Sequence, residues 1–162
     1  MRPAVVADLV KGKACRSSLP RKALMHTIRI MRSLEEDKGP RKRILLVDDE
    51  LHVRESIKLL LSRDEHTVVE ANNGAEAFAL FSSGQFDLVV TDFEIPFMKG
   101  GELASRIKQL APRQPILMIT GRQRRPSPDN PVDAVLCKPF NLNQLRKAMA
   151  EVVSEARRSL AA

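Results

Sequence analysis

Five polar side chains sit where apolar runs stop. Asp48 and Asp49 follow Ile44-Leu45-Leu46-Val47, Asp92 closes Leu88-Val89-Val90-Thr91, Thr120 follows Ile116 to Ile119, and Lys138 follows Val132 to Cys137. Three carboxylates crowded together repel, and a divalent cation or an ammonium group relieves that repulsion. The chemistry that uses such a set is phosphoryl transfer to a carboxylate. Asp92 suits the nucleophile, one of the side chains able to form an acyl phosphate. Asp49 and Asp92 suit direct ligation of Mg²⁺, which takes oxygen ligands and keeps several waters, with Asp48 acting through water. The Thr120 hydroxyl and the Lys138 ammonium can neutralise phosphoryl oxygens. Each residue also has a plain structural use. Asp48, Asp49 or Asp92 can cap the following turn or helix, Thr120 can pack or form a turn bond, and Lys138 can neutralise a buried acid.

Convergence of these residues requires a particular scaffold. From Ile44 onward, short apolar strands alternate with helical periodicity, the mark of a parallel sheet covered on both faces. Strands are predicted at Ile44 to Val47, His66 to Glu70, Phe86 to Thr91, Ile116 to Ile119 and Val132 to Cys137. Val53, Ile57, Leu60 and Leu61 predict a helix over Leu51 to Ser62. A second begins at Asn73-Gly74 and stops at Ser83-Gly84, and a third begins at Gly101 or Glu102 and stops at Pro112. The last is capped by Asn141 or Asn143 and carries Leu145, Met149, Val152 and Val153 on one face, fading after Ala156. Between the last two strands, Pro126, Pro128 and Pro131 oppose a helix, so a fourth helix is expected to be missing or shortened. The fold class expected is a doubly wound α/β domain with a five-stranded parallel sheet in the order 2-1-3-4-5. In that order strands 1, 3, 4 and 5 are neighbours about 4.8 Å apart, and ligands bind beyond their carboxyl ends.

The charge is unevenly divided. The formal net charge of the chain is +7, yet residues 1 to 43 hold 12 Lys/Arg against 4 Asp/Glu, and residues 44 to 162 hold 15 against 16. The basic character belongs to the leader. Residues 1–41 are expected to be largely disordered apart from a short helix around Ala23 to Leu34, with 42–158 as the globular domain and 159–162 as a tail. Met25 or Met31 is an alternative start. Cys15 and Cys137 fit neither a disulfide framework nor a metal spacing, and Cys137 is expected to be a small buried hydrophobe. No apolar run approaches the roughly 18 residues that a membrane span needs. The first residues have the wrong charge order for a secretory signal, so a cytoplasmic location is expected.

The segments ILLVDDE (44–50), TDFEIPFMKGGEL (91–103), ITG (119–121) and KPF (138–140) together resemble the response-regulator receiver domains of two-component signalling. The resemblance covers about residues 42 to 156. It implies a flavodoxin-like receiver fold and a phosphoacceptor that takes a phosphoryl group onto Asp92 from a histidine kinase or a histidine phosphotransfer protein. It also implies Mg²⁺ (or Mn²⁺) on Asp48, Asp49, Asp92 and the backbone carbonyl of Glu94, with Thr120 and Lys138 reading the phosphoryl group, and a cis Lys138-Pro139 bond. Such a protein is a signalling module rather than an enzyme, although it catalyses its own phosphorylation and dephosphorylation, and it acts by contact with a downstream protein.

Two departures stand out against that family. The position three before Lys138, where receivers carry a switching aromatic, is Val135, and the Thr120 to Lys138 interval is a few residues shorter than usual. Output through the usual face is therefore not expected. Arg122 is expected to reach Glu94 across the site. No DNA-binding domain is visible. A nucleic-acid-binding regulator using the basic leader would want aromatic stacking residues, yet Trp and Tyr are absent throughout. A phosphatase with an aspartyl nucleophile would want a D-x-D arrangement, which neither Asp48-Asp49-Glu50 nor Asp92-Phe93-Glu94 provides.

Overall fold

A computed structural model describes residues 40–121 and 131–161. Five parallel strands, β1 (Arg43–Val47), β2 (Thr67–Ala71), β3 (Leu88–Asp92), β4 (Ile116–Thr120) and β5 (Ala134–Cys137), form one sheet in the order β2-β1-β3-β4-β5. The helices among the described residues are α1 (Leu51–Ser62), α2 (Gly74–Ser83), α3 (Gly100–Leu110) and α4 (Leu142–Ala161). The strand order is the one expected from the alternation of patterns. The predicted short or missing helix of the β4–β5 crossover falls on 122–130, and the leader with its short helix falls on 1–39. Both lie outside the described residues.

Strand alternation decides which layer each side chain joins. On β1, Leu45 and Val47 face α2 and α3, packing with Ala77, Phe81, Leu103 and Ile107. Ile44 and Leu46 face α1 and α4, packing with Ile57, Leu61, Leu145 and Met149. These four apolar β1 residues are fully buried, and only Arg43 at the start of the strand is exposed. At about 1.5–3 kcal/mol for each buried aliphatic side chain, this short run contributes heavily to stability. A strand buried on both faces reads as a continuous apolar run, which is how β1, β3 and β4 read in the sequence.

Local chemistry fixes most element ends. The Asn73 side chain accepts from the Glu76 amide (2.8 Å), while the Glu76 carboxylate accepts from the Asn72 amide (2.9 Å). Asn141 and Gln144 form a reciprocal capping box at the start of α4 (3.0 and 2.9 Å). The expected ends are corrected in several places. Pairing with β1 shifts β2 one residue on from the predicted His66 to Glu70, since the Thr67 amide donates to Lys42 (2.9 Å). Strand β3 runs through Asp92, which pairs with Ile119 of β4. Strand β5 starts at Ala134 because Asp133 is spent on an anchor: its carboxylate accepts from the Ile116 amide (2.7 Å) and from Lys108 of α3 (2.9 Å). Helix α4 continues to Ala161, beyond the predicted fading at Ala156. Far from the strand carboxyl ends, Arg146 of α4 donates to the buried Asp64 just after α1 (2.6 Å), a pairing across 82 residues of chain.

Candidate functional site

The carboxyl ends of β1, β3, β4 and β5 bring Asp48, Asp92, Thr120 and Lys138 to one place, as the strand order requires. The Lys138 amide donates to the Thr120 carbonyl (2.8 Å), continuing the β4–β5 ladder by one bond and setting both residues beside the same opening. The Lys138-Pro139 bond is cis, as expected. The Lys138 ammonium spans two carboxylates, donating to Asp48 Oδ2 at 3.0 Å and lying 2.9 Å from Asp92 Oδ1. Asp48 is 2% exposed at its side chain and Asp92 14%. Burial by itself pulls the Lys138 pKa down, but hydrogen bonds to Asp92 and Asp48 outweigh it and hold the group above the ordinary lysine value. Lys138 is thus a fixed cation at any physiological pH.

A cavity of about 420 Å³ opens beside this pair, lined by Asp49, Glu50, Asp92, Phe93, Glu94, Thr120, Gly121 and Lys138. Its walls carry four carboxylates against one ammonium, so an anion entering alone would be repelled. Asp49 is exposed and faces the opening, whereas Asp48 lies behind Lys138 and does not line the cavity. Among the described residues no three carboxylate, imidazole or thiolate side chains make a preformed metal cage. Lys138 holds two of the acids, and Asp49 points to solvent. Glu94 lines the cavity, and its amide donates to Asp92 Oδ2 (2.8 Å). Its expected partner Arg122 lies outside the described residues.

The structural uses of these carboxylates coexist with their convergence. Asp48 Oδ1 accepts from the Glu50 amide (2.9 Å), a turn bond of the kind aspartate makes at strand ends. Glu50, the N-cap residue before α1, makes no side-chain cap bond. The β3–α3 connection is packed too tightly for a side chain at Gly100, where a Cβ would collide with the Asp92 carbonyl oxygen. Ile95 and Met98 of that connection are buried, so a turn-rich stretch also contributes to the core.

Cys137 corrects an expectation, for it is exposed rather than buried. Successive strand residues point to opposite sides, and turning Lys138 into the pocket leaves Cys137 outside it. Glu50, Phe93 and Gly121 line the cavity without having been singled out in the sequence. Their signal was adjacency to Asp49, Asp92 and Thr120.

An α/β sheet in this order, with an acidic pair, a carboxylate, a hydroxyl and a lysine at consecutive strand ends, defines a receiver-type class of fold and site. Residues 44–150 match the response regulator receiver domain family, and the chain belongs to that family. The response regulator receiver protein CpdR of Brucella abortus is 38% identical over 108 residues, 64% of this chain and 90% of CpdR. The response regulator MprA of Mycobacterium ulcerans is 36% identical over 111 residues. This chain spans 48% of MprA, and 13% of the sensor kinase/phosphatase LuxN of Vibrio campbellii, to which it is 32% identical over 109 residues. Among solved structures, the response regulator TrrA of Thermotoga maritima, crystallised in complex with Mg²⁺-BeF, is 34% identical with a TM-score of 0.66, covering 68% of this chain and 98% of its own.

Proposed function

We propose that this receiver domain accepts a phosphoryl group on Asp92 from a phosphohistidine donor, and passes the signal on by protein contact. The observation that carries the reading is the Lys138 ammonium held between Asp48 and Asp92 at the mouth of an acidic cavity. Asp92 combines partial burial with an oxygen at the opening, so it can attack without first crossing the core. The forming bond is between a carboxylate oxygen and phosphorus. The bond that breaks joins phosphorus to the donor imidazole, which leaves with the electron pair and takes up a proton. Lys138 moves from carboxylate to phosphoryl oxygen while keeping its charge, and Thr120, at the adjacent strand end, offers a hydroxyl to the same group.

The donor set fits a hard divalent cation. It consists of oxygens only, with Asp49 and Asp92 lining the cavity and Asp48 behind them, and it leaves room for water. Mg²⁺ or Mn²⁺ would be held by Asp49, Asp92 and, from behind, Asp48, with the Glu94 carbonyl as a further oxygen donor. When bound, the ion supplies positive charge to the entering phosphoryl oxygens, and the crystallised complex of TrrA with Mg²⁺-BeF supports the same use here.

The test is acid-labile labelling by acetyl phosphate or a histidine kinase, with and without Mg²⁺, in wild type and Asp92→Ala. Labelling is expected in wild type with Mg²⁺ and absent from Asp92→Ala. Equal labelling of both proteins would overturn the assignment.

A further inference from the structure

Asp48 is held at every polar atom it has. Its amide donates to Ala71 (3.3 Å), its carboxylate oxygens accept from the Glu50 amide (2.9 Å) and from Lys138 (3.0 Å), and its backbone carbonyl accepts from Arg54 Nη1 at 2.6 Å. The last contact comes from a side chain one turn inside α1. Arg54 is only 12% exposed, and its Nε donates to Glu70 Oε2 on β2 (3.2 Å). The other Glu70 oxygen takes the Lys58 ammonium. Hydrogen bonding from Lys58, with further help from Arg54, holds the Glu70 carboxyl below its usual range, so it stays charged and keeps the guanidinium in place. Glu70 pairs in register with Leu46, two residues before Asp48. The chain Lys58, Glu70, Arg54, Asp48 carbonyl therefore braces the β1–α1 turn against β2 from behind.

The brace matters because α1 offers the turn little else. Glu50 caps the helix with no side-chain bond, and the first turn of α1 has no acidic residue to meet its positive end. A guanidinium can serve the carbonyl and the carboxylate at once because its donors form a rigid fork, which an ammonium lacks.

We propose that Arg54, locked by Glu70, is a positioning residue that fixes the Asp48 carbonyl and so sets how Asp48 and Asp49 present their carboxylates to the divalent cation. This rests on the phosphoacceptor reading above. Groups that orient metal ligands typically change metal affinity by about 10–100-fold when removed. A residue that only joined α1 to β2 would lower thermal stability and leave cation affinity alone.

The experiment uses the full chain in four forms: wild type, Arg54→Met, Arg54→Lys and Glu70→Gln. Calorimetric titration with Mg²⁺ alone is expected to show roughly tenfold weaker binding in Arg54→Met, a smaller loss in Glu70→Gln, and partial rescue in Arg54→Lys. Amide hydrogen exchange at Asp49 and Glu50 is expected to quicken in the metal-free variants, and saturating Mg²⁺ to return Asp92 labelling to the wild-type rate. Wild-type Mg²⁺ affinity in both Arg54→Met and Glu70→Gln overturns the proposal while leaving the phosphoacceptor reading intact. Should Arg54→Met fail to fold, Glu70→Gln decides by the same criterion. A wild-type protein that binds no Mg²⁺ overturns both, as does an Asp92→Ala protein that labels as fully as wild type.

Discussion

Replacing Lys138 by methionine removes the cation shared by Asp48 and Asp92 while keeping most of the side chain's length. The two carboxylates do not suffer equally. Asp92 keeps a face on the cavity and recovers water, but Asp48, with a side chain 2% exposed, cannot rehydrate unless the β1–α1 turn opens. Breaking a buried pair by removing one partner costs about 3–5 kcal/mol. With only one of the two acids stranded, the low end, about 3 kcal/mol, applies to the metal-free protein. For a unit the size of Gly39–Ala162, each kcal/mol moves the melting temperature by roughly 3–6 °C, so a fall of about 9–18 °C is expected. Circular dichroism melts in EDTA measure it. Mg²⁺ should then raise the melting temperature of Lys138→Met by more than that of wild type, since the ammonium no longer competes for the same oxygens and bound ligand stabilises in proportion to ln(1 + [L]/Kd). A group whose folded pKa is raised contributes fully below its unfolded value, so the gap between the proteins should be constant from about pH 6 to about pH 9. A metal-free melting temperature within about 2 °C of wild type would refute the shared-cation argument.

Gly100→Ala would push a methyl group into the Asp92 carbonyl oxygen; overpacking of this kind costs about 1–3 kcal/mol. Labelling of Asp92 should also slow, and a variant with wild-type melting and labelling would contradict the close-approach argument. His66 accepts a hydrogen bond at Nδ1 from the Lys42 amide (3.3 Å). Burial first, then Lys42 and Arg146, hold its pKa below the usual histidine value against the opposing pull of Asp64. In the unfolded chain the imidazole binds its proton first, so this part of the stability is present above about pH 6.5 and declines as pH falls towards the folded value. Urea denaturation across that range should show a shallower decline in His66→Gln than in wild type; equal slopes would remove His66 from the account.

The sequence alone determined the order of elements and the residues at the strand ends. Runs such as Ile44 to Val47 and Ile116 to Ile119 are apolar on both faces because both faces are covered, and a polar residue marks where each run leaves the core. Asp48, Asp92, Thr120 and Lys138 were legible for that reason. The bounds of α1 were equally plain from helical periodicity. Only the tertiary structure decided which of these groups touch. It put Lys138 between Asp48 and Asp92, left Asp49 at the opening, and turned Cys137 outward because Lys138 turned in. It also turned Arg54 and Glu70, ordinary charges on a helix and a strand in the linear reading, into a partly buried brace behind the acidic turn. The reason is physical. Burial and periodicity are local properties that a chain writes into its own pattern, whereas the pairing of charges 16 or 90 residues apart depends on register and packing between elements, which no single segment encodes.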